Sequence, residues 1–142
     1  MERDGRMDDC IFCKIVKGEI PCTKLFENEK VLSFLDIMPV AKGHALVIPK
    51  THHRTLLDMN HDDLKEVSLA IQKIGSAIMK ATNADGFNVL QSNEKAAGQE
   101  IFHVHFHIIP RFENDDISFK LGRGKSEKEE LEEYQKRIKD NM

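Results

Sequence analysis

The stretch His103-Val104-His105-Phe106-His107-Ile108-Ile109-Pro110 decides how the rest of the chain is read. Imidazoles alternate here with apolar residues, and side chains on a strand alternate in direction with period two. The pattern predicts a strand over 101–109, stopped by Pro110. Its three rings project from one face, spaced about 7 Å apart, twice the ~3.4 Å rise per residue. Val104, Phe106 and Ile108 then point back into the core. Three neutral imidazoles on a rigid strand offer a nucleophile, a donor and an acceptor in a fixed array. The bland alternative is a metal patch or a set of satisfied surface histidines.

Upstream, Thr23 to Phe26 and Val31 to Ile37 read as strands separated by Glu27-Asn28-Glu29-Lys30. The second is apolar on both faces, which makes it a central strand. Ala45 to Ile48 is a third strand closed by Pro49, and Phe87 to Leu90 a fourth. Between them Leu64, Val67, Leu69 or Ala70, Ile71, Ile74 and Ile78 recur at helical spacing, predicting a helix over Asp62 to Thr82 with Asn60 as N-cap. A short helix over Ile11 to Gly18 precedes the sheet. Gln91 to Gln99 is a polar loop. Ser126-Glu127-Lys128-Glu129 matches a capping box, so a last helix runs from about Glu127 to Lys139. Its narrow stripe of Leu131, Tyr134 and Ile138 must pack on the domain or on a second subunit. The fold class is α+β: about five mainly antiparallel strands, one long helix and a C-terminal helix.

A chain of 142 residues, 40% of them apolar, suits one domain with an ordinary core. Charged residues make up 32% and the net charge is −3, which argues against an electrostatic nucleic-acid binder. No apolar run is long enough for a membrane span. Met1 to Asp9 reads as an unstructured tail, polar and mixed in charge, within which Met7 could serve as a start. It has no signal- or transit-peptide character, which leaves the cytoplasm as the expected location. Three cysteines speak against a disulfide framework. Cys10-Ile11-Phe12-Cys13 suits metal ligation or redox chemistry, whereas Cys22 reads as a structural thiol and His53 and His61 as solvated loop histidines.

The histidine alternation resembles the motif of the histidine-triad (HIT) family. Further motifs agree in order: Cys10-Ile11-Phe12-Cys13-Lys14-Ile15, Phe34-Leu35-Asp36-Ile37, Gly43-His44-Ala45-Leu46-Val47-Ile48-Pro49-Lys50 and Ala97-Gly98-Gln99. The similarity is to the Hint branch and the zinc-containing HIT proteins of bacteria and archaea. It places a HIT domain over residues 10–112, followed by a charged extension over 113–142 that carries the last helix.

This resemblance implies a nucleotide-binding hydrolase or nucleotidyl transferase attacking the α-phosphorus of a purine nucleoside phosphate. His105 maps to the nucleophile, which forms a nucleotidyl-histidine intermediate cleaved by water. His107 would hydrogen-bond phosphate oxygens and assist proton transfer, and His44 would support the rings and their tautomer. Asp36, with Ile37 beside it, matches the ribose-binding position. Gly98 and Gln99 lie where amides can face a phosphate. Relatives also place structural zinc, one ion per chain, on residues that map to Cys10, Cys13, His52 and His103; two thiolates and two imidazoles form a closed tetrahedral set. A homodimer is implied as well, with the last helix reaching the partner.

Two positions depart from the family pattern. Glu100 stands where many relatives carry Ser or Thr; a carboxylate there suits an amine leaving group better than a polyphosphate. Ser92 stands where relatives carry Asn or Gln, a role that Asn93 could take after a one-residue shift. The expected substrates are adenosine 5'-monophosphoramidate and lysyl-linked adenosine monophosphate, both with an amine leaving group, and beside them aminoacyl adenylates. The rivals are a dinucleoside polyphosphate hydrolase of the Fhit type and a nucleotide-binding scaffold protein with feeble turnover.

Overall fold

Strand β2 (Val31–Leu35) is buried along nearly its whole length and β3 (Ala45–Pro49) along all of it, which puts both inside a sheet. The computed structural model describes residues 7–142 and gives a five-stranded, wholly antiparallel sheet in the order β1-β2-β3-β5-β4. The other strands are β1 (Lys24–Glu27), β4 (Gly86–Leu90) and β5 (Phe106–Arg111). Helix α1 (Ile11–Val16) precedes the sheet, α2 (His61–Thr82) connects β3 to β4, and α3 (Lys128–Lys139) ends the chain. The α+β class and strand number are as the sequence predicts. Of the tail expected to be unstructured, residues 1–6 lie outside the described residues, and Met7–Asp9 form a 3₁₀ turn.

Each face of the sheet has its own core. On one, Val31, Ala45, Val47, Val104, Phe106 and Ile108 pack against Val67, Ala70, Ile74 and Ile78 of α2. Those helical residues are three and four apart, the spacing of one buried stripe, and Ala70 rather than half-exposed Leu69 fills it. Asn60 caps α2 by accepting the Asp63 N–H at 2.8 Å, and Asn83 ends it with φ 55°. On the other face Leu32, Phe34, Leu46 and Ile48 pack against Phe12, Cys10 and Cys13 at α1. Cys22 is a free thiol packed beside that second cluster.

The predicted fifth strand is corrected at both ends. Pairing with β3 begins only at Val47–Phe106, so His103 and His105 precede the strand and only His107 lies on it. The physical reason is that the Val104 N–H leaves the sheet and donates to the His53 carbonyl at 2.7 Å. The alternation of burial survives, since Val104, Phe106 and Ile108 are all buried. At the other end β5 runs through Pro110. The Arg111 carbonyl accepts from Asp85 on the β4 side, so by alternation Pro110 nitrogen faces the β3 side. Pairing with β3 has already ended there, at Ala45–Ile108, and no ladder bond is lost.

Gly43 sets the start of β3. Its φ is 96°, and a Cβ would stand 3.0 Å from Thr82 Cγ2, so a side chain meets both a backbone penalty and a clash. The last helix also differs from expectation. Its N-cap is Glu127, with no side-chain bond, and Ser126 donates instead to Glu130, so the predicted capping box is absent. Leu131, Tyr134 and Ile138 are each more than half exposed within the single chain.

Candidate functional site

Two clusters of imidazoles meet at His103. The first joins the end of β3 to α1. His103 is completely buried and donates Nε2–H to the Pro49 carbonyl at 2.8 Å, which leaves a lone pair on Nδ1. That Nδ1 lies 3.4 Å from Cys10 Sγ and 3.5 Å from Cys13 Sγ, while His52 Nδ1 lies 3.2 Å from Cys13 Sγ. All four donor atoms fall within 4.8 Å of one another. A tetrahedral zinc with Zn–S ≈ 2.3 Å and Zn–N ≈ 2.0–2.1 Å separates sulfur from nitrogen by about 3.5 Å. The donor set therefore fits that ion in type, number and spacing. Burial, with Cys10 adding, pushes the Cys13 thiol up to about 12, so without a cation this sulfur stays protonated. A bound dication reverses that preference. The His103 bond to Pro49 is the kind of outer contact that fixes a ligand's tautomer. Cys10 also caps α1, its sulfur accepting the Cys13 N–H at 3.4 Å.

The second cluster is a relay whose tautomers are set from the backbone. Val40 N–H donates to His44 Nδ1 at 3.1 Å, so the His44 proton resides on Nε2. That Nε2 donates to His107 Nδ1 at 2.8 Å, leaving the His107 proton on Nε2. His105 donates from Nδ1 to the His103 carbonyl at 2.7 Å, which leaves its Nε2 with a free lone pair. The rings of His105 and His107 stand 5.1 Å apart, closer than the spacing expected along a regular strand. A lone-pair nitrogen and an N–H donor are thus placed side by side. Burial lowers all four rings: His103 and His107 each to about 4, His44 and His105 in the same direction. All are neutral at pH 7.

Asp36 Oδ2 lies 3.6 Å from His44 Nε2, and Asp36, His44 and His107 converge closely enough to suggest a second metal set. Hydrogen bonding speaks against it. With Val40 N–H on Nδ1, a cation on His44 Nε2 would require an imidazolate. Asp36 Oδ1 accepts the Met38 N–H at 2.8 Å, and neighbouring Ile37 is 90% exposed.

The loop over 91–101 holds the remaining sequence candidates. Asn93 Oδ1 accepts from Leu56 N–H and Gln91 Nε2, and its Nδ2 donates to Gln91 Oε1. Ser92 is half-buried, and its carbonyl accepts from Gln91. The expectation that Gly98 and Gln99 present amides to a phosphate is corrected. Gly98 N–H donates to Lys95 and Gln99 N–H to Glu94, because the segment closes on itself as a 3₁₀ turn. The buried Gln99 side chain binds Arg54 and Ile101 carbonyls and the Glu94 N–H. Glu100 is exposed.

In the segment after β3 the sequence pointed to His52 but missed His53. His53 is not a solvated loop histidine: its Nε2 pairs with buried Asp63 Oδ2 at 2.8 Å while its carbonyl holds Val104. Both contacts are distant in sequence and leave no local signal. His61 is exposed at the first position of α2.

The sequence profile described as the HIT domain matches residues 17–114. An adenosine 5'-monophosphoramidase of Schizosaccharomyces pombe is 45% identical over 113 residues, 80% of this chain and 81% of that protein. A member of the HIT family of Bacillus subtilis superposes with a TM-score of 0.89 at 39% identity, covering 94% of this chain and 97% of the other. A Zn-bound histidine triad family protein of Mycobacterium smegmatis superposes with a TM-score of 0.75 at 34% identity, covering 96% and 100%.

Proposed function

The chain belongs to the HIT domain family, and we propose on that footing that it is a hydrolase of nucleoside phosphoramidates, acting at the α-phosphorus of a purine nucleotide. The carrying observation is the His105 Nε2 lone pair, freed by the Nδ1–H bond to the His103 carbonyl and set beside the His107 ring. That lone pair attacks phosphorus. The P–N bond to the amine breaks, its electron pair goes to the departing nitrogen, and that nitrogen takes up a proton from solvent. The resulting N-phosphorylated imidazole carries positive charge, which the His103 carbonyl offsets through the retained Nδ1–H bond. Water then attacks phosphorus and gives up a proton to solvent; the bond to Nε2 breaks, its electron pair returns to His105, and the nucleoside monophosphate is released. His107 donates Nε2–H to a phosphoryl oxygen whose charge grows in each step, a role that His44 secures by occupying Nδ1. Asp36 takes the ribose hydroxyls, with Ile37 against the nucleoside and Ser92, Asn93 and Glu100 on the loop flanking the phosphate side.

Structural zinc, one ion per chain, is the cofactor of this reading: Cys10, Cys13, His52 and His103 hold it and it ties α1 to the triad. The domain over 10–112 carries the site, and the extension over 113–142 serves assembly. A homodimer is supported by free edge strand β4, where Phe87, Val89 and Leu90 are exposed, and by the uncovered stripe of α3. No helix among the described residues is long and apolar enough to cross a membrane, and cytoplasmic residence is part of the proposal.

The test compares a fluorogenic adenosine phosphoramidate with diadenosine tri- and tetraphosphate, for wild type and His105→Ala. Phosphoramidate turnover that falls by at least about 10³-fold in the mutant is the expected result. A mutant retaining more than roughly a tenth of the rate, only ~1.4 kcal/mol of barrier, overturns the nucleophile. Preference for the diadenosine substrates would favour the Fhit type, and binding without turnover a scaffold.

A further inference from the structure

Glu94 adopts φ 71° and ψ 161°, a backbone conformation that belongs to glycine. An L-residue persists there only when its surroundings over-determine it. Here they do. Glu94 N–H donates to Gln99 Oε1 at 2.7 Å, and its carbonyl accepts from Ala97 and Gln99. Its carboxylate takes a two-point hydrogen bond from Arg54, Nε at 3.0 Å and Nη2 at 2.8 Å. Gln99 closes the ring by donating to the Arg54 carbonyl at 2.7 Å. The Arg54 guanidinium also lies over the Phe102 ring, 4.2 Å from its centroid.

The two sides of this ring matter. Arg54 sits two residues beyond His52 and one beyond the carbonyl that holds Val104. Glu94 sits next to Asn93, and Phe102 is followed by His103. The ring therefore joins the frame of the triad to the loop that the proposed function assigns to the nucleotide.

We propose that Arg54 and Glu94 form a positioning latch, in which the ion pair holds Glu94 in a glycine conformation and thereby sets the 91–101 loop for nucleotide binding. Both act as positioning residues, through the loop backbone they hold. An isolated exposed ion pair has little effect. This one acts because the backbone it holds has a preferred alternative to relax into once it is released.

The latch rests on the phosphoramidase reading, and its test separates the two. Glu94→Ala and Glu94→Gly both delete the carboxylate, but only alanine retains the penalty at positive φ. Glu94→Ala is expected to raise KM for the adenosine phosphoramidate roughly tenfold with kcat within about threefold, and Glu94→Gly to stay within about threefold of wild type in both. Arg54→Ala should match Glu94→Ala, and adding Glu94→Gly to it should restore KM. Amide hydrogen exchange over 91–101, which needs no substrate, should rise in Glu94→Ala and Arg54→Ala and stay near wild type in Glu94→Gly. If alanine and glycine behave alike in exchange and in KM, whether both impaired or both normal, the latch is refuted. Absence of turnover by the wild type would strike the proposed reaction instead, and the exchange comparison would still decide the latch.

Discussion

Replacing His44 by phenylalanine isolates what the relay contributes. His44 is 3% exposed, and phenylalanine fills nearly the same space, so no large cavity forms. Two hydrogen bonds disappear. The first leaves the Val40 N–H without its acceptor, a loss worth about 1–3 kcal/mol for a buried donor and less where water reaches it. Thermal unfolding should move down by several degrees, at roughly 2–8 °C per kcal/mol for domains of this size class.

The second loss is the His44 donor on His107 Nδ1. The ring can then rotate or carry its proton on the other nitrogen, and the donor facing the phosphoryl oxygen is no longer assured. A hydrogen bond to a charged oxygen contributes about 1.5–3 kcal/mol. That bounds the fall in kcat/KM at roughly 10- to 150-fold. The nucleophile and its own bond to His103 remain, so the loss must stay well short of that for His105→Ala. The assay is steady-state turnover of the phosphoramidate beside a melting curve. A variant with unchanged kcat/KM, or one as inactive as His105→Ala, would show that His44 does not act through His107 in this way.

For the metal set, protein purified without added zinc should carry about one ion per chain, and a chelator or Cys10→Ser should lower the melting temperature; metal analysis that finds none, with no response to either change, sinks the assignment. For pH, burial holds His107 at about 4, below its ordinary 6.5. The unfolded chain binds more protons between those values, so this contribution to stability is full above about pH 6.5 and is lost as pH falls towards 4. Activity should follow the same sign, because a proton on Nδ1 would displace the His44 bond: kcat/KM should hold down to about pH 5, and an acid limb near 6.5 would contradict the relay. For the leaving group, a carboxylate at Glu100 repels a polyphosphate by about 1–4 kcal/mol at 4 Å, so Glu100→Ser should lower the ratio of phosphoramidate to diadenosine kcat/KM. An unchanged ratio removes Glu100 from that choice.

The parts legible in the sequence are those governed by neighbours along the chain. The stripe of α2, its Asn60 cap and both faces of β2 follow from periodicities of 3.6 and 2. The alternation at the histidines correctly sent Val104, Phe106 and Ile108 inward. It overstated the strand, because what ends β5 at Phe106 is a hydrogen bond to His53, about fifty residues earlier in the chain. The same distance hid the role of His53 and Arg54. Gln99 was misplaced for a related reason: its position before the triad suggested a ligand, whereas its buried amide is fully used by three backbone groups. A donor's location can be read from a motif, but not whether its hydrogen bonds are already taken.

That distinction bears most on His103, which a strict strand would have made the equal of His105 and His107. Leaving the ladder lets its ring turn into the cluster of Cys10, Cys13 and His52, while its carbonyl stays aimed at His105 Nδ1. One residue thus serves two clusters through two different groups. Pro49 fixes the ring from behind by accepting Nε2–H, and the neighbouring Val104 N–H is fixed by His53. With both the side chain and the adjoining peptide held, the carbonyl has little freedom, and neither has the tautomer of His105. The irregular backbone at 101–105 is therefore what converts an alternation of imidazoles into a division of labour. A regular strand would have left three equivalent rings, none with its lone pair assigned.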